Sequence, residues 1–282
     1  MTAEPAARES AWAVQDVWMA HVALSDAAAG EHRAAERFAR GAMGLAGWDS
    51  APTRVWLEDW TLVMPAQGPW ELAIETPEFG FSLQLQAERP PVLQGDAGYS
   101  RKGAAPGNAS YYYSIPRLRT EGTVTLDGQV QAVSGLSWLD REWSTSALSA
   151  DQEGWDWFAL QLDSGRDLMF YRLRRRDGTA DVFSGASLVT PARDDAAPPE
   201  VQRLQREDVL LQPLRWWEHD SGRRYPVAWR LQIPQQGVDW QVEAVFDDQF
   251  MAVSIPYWEG MVTVRDAAGV LRGRGYLEMA GY

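Results

Sequence analysis

The sequence predicts an all-β protein built from barrels or sandwiches, on three observations. Apolar and polar residues alternate with period two, turn-forming Asp-Gly or Gly-bearing segments separate such runs, and the runs recur at short, regular intervals. The alternation is clearest where Phe81, Leu83, Leu85 and Ala87 interleave with Ser82, Gln84, Gln86 and Glu88; successive side chains of a strand point to opposite faces, so this makes a half-buried strand. Val124 and Leu126 lead into Asp127-Gly128, and Val130 and Ala132 follow. That pair predicts a hairpin, because a type I′ turn needs positive φ at both central residues.

The second half repeats the style. Trp155 to Leu162 and Asp167 to Leu173 flank Asp163-Ser164-Gly165-Arg166, and Asp177-Gly178 opens the next turn. Val227, Trp229, Leu231 and Ile233 face Val238, Trp240, Val242 and Ala244 across Gln235-Gln236-Gly237. Met261 to Arg265 and Val270 to Met279 close the chain around Ala267-Ala268-Gly269. Short strands with Gly-bearing turns fit a barrel or sandwich rather than βαβ units. One stretch departs: Glu31 to Leu45, rich in Ala, Arg and Glu, predicts a short helix. Pro90-Pro91 and Pro191 to Pro199 read as loops. A seam over residues 144–154 divides the chain into domains 1–146 and 147–282.

Composition narrows function. The 282 residues include 15 Trp, each adding roughly 200 Å² of surface that wants burial, which fits thick barrel walls or an aromatic-lined cavity. A formal net charge of −13 disfavours nucleic acid as a partner. No cysteine is present, which removes disulfides, thiolate catalysis and Cys-containing zinc sites. His21, His32 and His219 have no metal-ligand spacing. No apolar run reaches the ~20 residues a spanning helix needs, and the first ten residues lack the basic start and apolar stretch of a signal peptide.

The densest chemistry lies in Gly135 to Trp143 (GLSWLDREW). On a strand, Trp138, Asp140 and Glu142 share one face, while Leu139, Arg141 and Trp143 share the other. Carboxylates at i and i+2 sit roughly 7 Å apart; partly desolvated beside a tryptophan, one can keep its proton near neutral pH and act as a general acid. The alternative is a set of rim salt bridges through Arg141. Tyr111 and Tyr113 fall on one face and either orient the acid or serve as wall aromatics. His21, in an apolar run, is either a proton shuttle or a structural histidine. No Gly-x-Ser-x-Gly elbow, Walker loop or Gly-x-Gly-x-x-Gly is present.

Several blocks, in order along nearly the whole chain, resemble the carotenoid 1,2-hydratase/AttH-like family, often labelled predicted secreted hydrolases. They are Met19 to Asp26, Val55 to Trp60, Leu93 to Gly98 with Arg101-Lys102-Gly103, Asn108 to Leu118, Gly135 to Ser144, Gly154 to Leu162, Tyr257 to Gly260 and Gly275 to Tyr282. The resemblance implies two consecutive lipocalin-like β domains enclosing an apolar cavity, a periplasmic or secreted location and, for the hydratase branch, cofactor-independent addition of water to a carbon–carbon double bond. It implies Asp140 as the acid facing that cavity, with Glu142, Tyr113, Trp138 and His21 in support, and Tyr111, Arg117, Trp56, Trp60, Trp143 and Trp157 around the ligand. In the hydratase branch a His follows the acid; here Arg141, a permanent cation, follows it and places the chain nearer the AttH-like branch. The family's opening Trp-Trp-Tyr strand is absent, so the first domain is expected to be N-terminally incomplete.

Three functional readings follow. The first is acid-catalysed hydration of a long polyene, isoprenoid or lipid-like substrate with Asp140 as proton donor and no cofactor or metal. The second is a non-enzymatic carrier of such a small apolar ligand, working beside a membrane transporter of the ABC type. The third is ester hydrolysis, which rests on the family label alone.

Overall fold

A computed structural model gives the fold and describes residues 16–144, 148–192 and 198–282. It is all-β, with curled sheets and, among the described residues, no helix beyond two 3-10 turns. A hairpin of β1 (Val17–Asp26) and β2 (Glu31–Arg40) comes first. A meander follows: β3 (Ala46–Ser50), β4 (Thr53–Leu57), β5 (Trp60–Met64), β6 (Trp70–Glu75) and β7 (Phe79–Ala87). Two short strands, β8 (Val92–Leu93) and β9 (Tyr99–Arg101), precede the long pair β10 (Ala109–Leu126) and β11 (Gln129–Ser144). Asp127 and Gly128, joining that pair, have φ of 49° and 74°, as the type I′ turn requires.

A second sheet holds β12 (Gln152–Leu162), β13 (Asp167–Arg175), β14 (Gly185–Thr190), β15 (Glu200–Gln205), β16 (Leu210–Glu218), β17 (Arg224–Ile233), β18 (Val238–Ala244), β19 (Phe250–Met251), β20 (Tyr257–Asp266) and β21 (Leu271–Ala280). Its antiparallel order is β15-β14-β13-β12-β21-β20-β18-β17-β16, with β19 on β20. The turns fall where glycines permit left-handed backbone, as at Gly237 (φ 61°) after β17.

Two compact units emerge from the contacts. One comprises residues up to Leu24, Arg33–Glu88 and Leu118–Ser137; the other comprises Ser25–His32, Arg89–Arg117 and Trp138–Tyr282. The seam expected over 144–154 includes residues 145–147, which lie outside the described residues.

Parity organises the second unit. Phe158, Leu160, Trp229, Leu231, Trp258, Val262 and Leu277 are essentially inaccessible and pack into one cluster. Each such side chain contributes on the order of 1.5–3 kcal/mol through burial. On β12 the even residues enter this core, so Trp155 and Trp157 point to the sheet's other face. Asp156 lies at the end of the even row, fully buried, and accepts bonds from Arg172 Nε (2.7 Å), Arg174 Nη1 (2.9 Å) and Tyr282 Oη (2.6 Å).

The helix expected over Glu31 to Leu45 does not form; Glu31–Arg40 is β2. Its charges, which look like a solvated helical face, are paired instead: Glu36 with His21 of β1, Arg33 with Asp127 of the β10–β11 turn, and Arg37 with Asp59 of the β4–β5 turn. Pairing with β1 satisfies the backbone that composition alone would assign to a helix, so tertiary context overrides propensity.

Candidate functional site

The site is built on β10, β11, β12, β20 and β21 within the second unit. On β11, Trp138, Asp140 and Glu142 share a face turned to Ser110, Tyr112 and Ser114 of β10. Asp140 accepts three bonds: Tyr112 Oη donates to Oδ2 (2.6 Å), Trp138 Nε1 donates to Oδ1 (2.8 Å), and Ser114 Oγ donates to Oδ1. Burial raises its pKa above the usual carboxylate range; the three donors pull the other way and Glu142 adds to the rise. Tyr112, only 3% exposed, also accepts from Trp157 Nε1 (3.0 Å). Its own pKa is pushed well up by burial and then by Asp140, so it stays a neutral donor. Trp157 meets Trp138 edge to face at 6.4 Å. The acid is thus held by two hydroxyls and the Trp138 indole N–H, with Trp157 bound to the same Tyr112 hydroxyl.

Next to Trp157 lies a second carboxyl group. Glu278 on β21 is the cross-strand partner of both Trp157 on β12 and Glu259 on β20, so all three share a face. Trp155 Nε1 donates to Glu278 Oε1 (2.8 Å). Burial first, then Glu259, lift the Glu278 pKa to about 7, and Asp140 and Glu142 contribute as well. Tyr257 donates to Glu259, and Tyr257 and Tyr276 are both shifted upward by burial and these acids. Like charges so close cannot all ionise, so the cluster retains a proton near neutral pH and titrates as a coupled set.

The other expected residues are distributed as follows. Glu142 is held by Lys102 Nζ (2.9 Å) and by Ser110, which makes it an ion-pair partner rather than a free acid. The residue that touches Asp140 is Tyr112; Tyr113, expected there, has the opposite parity and lies edge-on to Trp143 at 6.4 Å, while Tyr111 stacks on Trp143 at 5.8 Å. Arg117, expected at the ligand, commits its guanidinium to the buried Asp167 (2.8 Å) and to the carbonyls of Leu162 and Arg166. Trp56, Trp60 and His21 belong to the first unit. There Trp60 Nε1 donates to Glu75 O, Trp56 Nε1 donates to Gly44 O, and His21 pairs with Glu36 at 2.9 Å.

Two members were missed from sequence. Tyr112 was hidden by parity within Tyr111-Tyr112-Tyr113. Glu278 had a signal: Tyr257-Trp258-Glu259 and Tyr276-Leu277-Glu278 are two Tyr-x-Glu runs on neighbouring strands. Tyr112→Phe is expected to cost about 1–3 kcal/mol in denaturant unfolding, because it leaves Trp157 Nε1 unpaired and strips Asp140 of a donor. Loss of that donor also moves the Asp140 pKa further up.

A family model described as AttH-like matches residues 1–282. Kievitone hydratase of Fusarium solani subsp. phaseoli is 26% identical over 204 residues, covering 70% of this chain and 55% of that protein. Dehydratase asqC of Emericella nidulans is 24% identical over 180 residues, covering 61% of this chain and 48% of that protein. The chain spans about half the length of these curated relatives. A crystal structure named for AttH, from Nitrosomonas europaea, matches with TM-score 0.81 and 35% identity, covering 94% of this chain and 82% of that one. Kievitone hydratase from Nectria haematococca shares the fold, with TM-score 0.71 and 18% identity over 93% of this chain and 79% of that one. The chain belongs to the AttH-like family.

Proposed function

We propose that this protein adds water to, or removes it from, a carbon–carbon double bond of an apolar substrate without a cofactor. The observation that carries the reading is Asp140, fixed by three donors, raised in pKa by burial and set beside Trp138 and Trp157. Hydration needs a proton donor, a means to stabilise the carbocation, and a base for the attacking water. Asp140 gives its proton to one alkene carbon; the π-electron pair forms the new C–H bond and leaves a cation on the neighbouring carbon. Trp138 and Trp157, whose indole N–H groups are committed to Asp140 and Tyr112, are the aromatic rings available to stabilise that cation. Water forms the C–O bond and returns a proton to the carboxylate, so the net change is one water, and dehydration is the reverse. Relatives named as a hydratase and a dehydratase support this reading.

Carriage alone needs no proton-bearing carboxyl group. Ester hydrolysis fits the described residues less well. The ring of His32 faces Ser25 at 2.8 Å, but its other nitrogen meets the Met251 sulfur at 3.3 Å rather than a carboxylate. The test is incubation of the purified protein with isoprenoid, prenylated aromatic and polyene alkenes in ¹⁸O-labelled water. Uptake of one labelled water at a double bond is expected. Recovery of a bound, chemically unaltered lipid with no label in any alkene overturns the proposal in favour of carriage.

A further inference from the structure

A cavity of about 500 Å³ opens within the second unit, between the segment carrying β9 and strands β13, β14 and β15. Asp140 does not line it. Its walls combine apolar and aromatic side chains, among them Met169, Tyr171, Phe183 and Leu204, with polar ones such as Ser100, Ser184 and Gln205. Its floor is polar and fixed. Ser187, 2% exposed, donates to Gln94 Oε1 (2.6 Å), and Gln94, 1% exposed, donates through Nε2 to Ser114 Oγ (2.9 Å). Ser114 in turn donates to Asp140, so the floor belongs to a buried chain whose donor directions are set. That chain leaves a lone pair on Ser187 Oγ and the second N–H of Gln94 for a ligand. A hydroxyl group, which both donates and accepts, matches the two together.

The rim carries two arginines, Arg101 and Arg203, and one carboxylate, Asp96. Arg101 lies over the Phe183 ring at 4.8 Å, and among the described residues no carboxylate comes within ion-pair distance of it. Arg203, also lining the cavity, has the highly exposed Asp96 at 3.8 Å. In a chain of net charge −13, an arginine without a carboxylate partner beside an aromatic-walled cavity is a place for an anion. The volume lies in the range of small-molecule sites, which combine apolar walls with a few fixed polar groups.

We propose that this cavity binds a hydroxyl-bearing amphipathic carboxylate, with its acid on Arg101, its body against Phe183 and Met169, and its hydroxyl on Gln94 and Ser187. This goes beyond the hydration reading and does not require it. The probe is 6-hydroxy-2-naphthoate, a rigid molecule with one group at each end and no isolated double bond, titrated by calorimetry. Its methyl ester and 2-naphthoate each lack one end and are expected to bind roughly tenfold more weakly. Arg101→Gln is expected to abolish the preference for acid over ester, and Ser187→Ala the preference for the hydroxylated acid. The probe has no isolated double bond and its binding is read by calorimetry without turnover, so failure here and failure of the hydration reading are separate results. Absence of binding to the wild-type chain, equal affinity for acid and ester, or an acid preference that survives Arg101→Gln overturns the proposal. Should Ser187→Ala not fold, the comparison of the three ligands on the wild-type chain and on the variant at exposed Arg101 decides alone.

Discussion

Asp140→Asn is expected to lower turnover of a hydrated alkene by about two to four orders of magnitude, the range typical of a lost general acid. Asparagine keeps the shape of the side chain, and its single amide oxygen can still accept from Ser114 and Trp138, while Tyr112 Oη must turn to accept from the amide nitrogen. The amide cannot give up a proton to carbon. Single-turnover measurements with saturating substrate separate the two effects: kcat is expected to fall while KM stays within a few-fold. Retention of wild-type turnover would remove Asp140 from the chemistry. A matched loss of kcat and of thermal stability would reassign it to holding β10 against β11.

Glu278→Gln is the second large effect, and it acts in the opposite direction on stability. The Glu278 carboxyl moves from an ordinary value of 4.5 to about 7 on folding. A raised folded-state pKa means that the native protein holds this proton more tightly than the unfolded chain does. The associated stability is therefore complete below pH 4.5 and is lost as pH rises through about 7. The shift corresponds to at most about 3 kcal/mol at alkaline pH. Glutamine never ionises, so the variant is expected to be more stable than the parent at pH 8.5 by up to that amount, with most of the gain absent at pH 5. Denaturant midpoints at the two pH values check this; an equal gain at both would show that packing rather than ionisation is responsible. In the same variant the pH profile of kcat is expected to change shape, because the Glu278 carboxyl that interacts with Asp140 no longer ionises.

Much of the fold was legible because its signals are local. Alternation around Phe81 to Glu88 marks β7, Asp127-Gly128 marks the β10–β11 turn, and Gly165, Gly237 and Gly269 mark hairpins in the second half. β2 was not legible, since Ala, Arg and Glu favour a helix locally and only pairing with β1 makes the segment a strand. The site divides the same way. Trp138, Asp140 and Glu142 follow from alternation along one strand. Which tyrosine meets Asp140 depends on the register between β10 and β11, and Tyr112 rather than Tyr113 is the answer. The Arg117 contact was not legible, because its partner, the buried Asp167, lies 50 positions away. Glu278 and Glu259 face Trp157 only through cross-strand neighbours that sequence spacing does not reveal.

Strands β12, β20 and β21 carry the hydrophobic cluster on one row of side chains and Trp155, Trp157, Glu259, Tyr276 and Glu278 on the other. Evolution can therefore rewrite the Trp155–Glu278 row while leaving the interior row untouched, because the two never compete for the same positions. A common scaffold with divergent activities, or with none, is what such a division permits, and comparing that row among relatives is the direct way to sort catalysts from carriers.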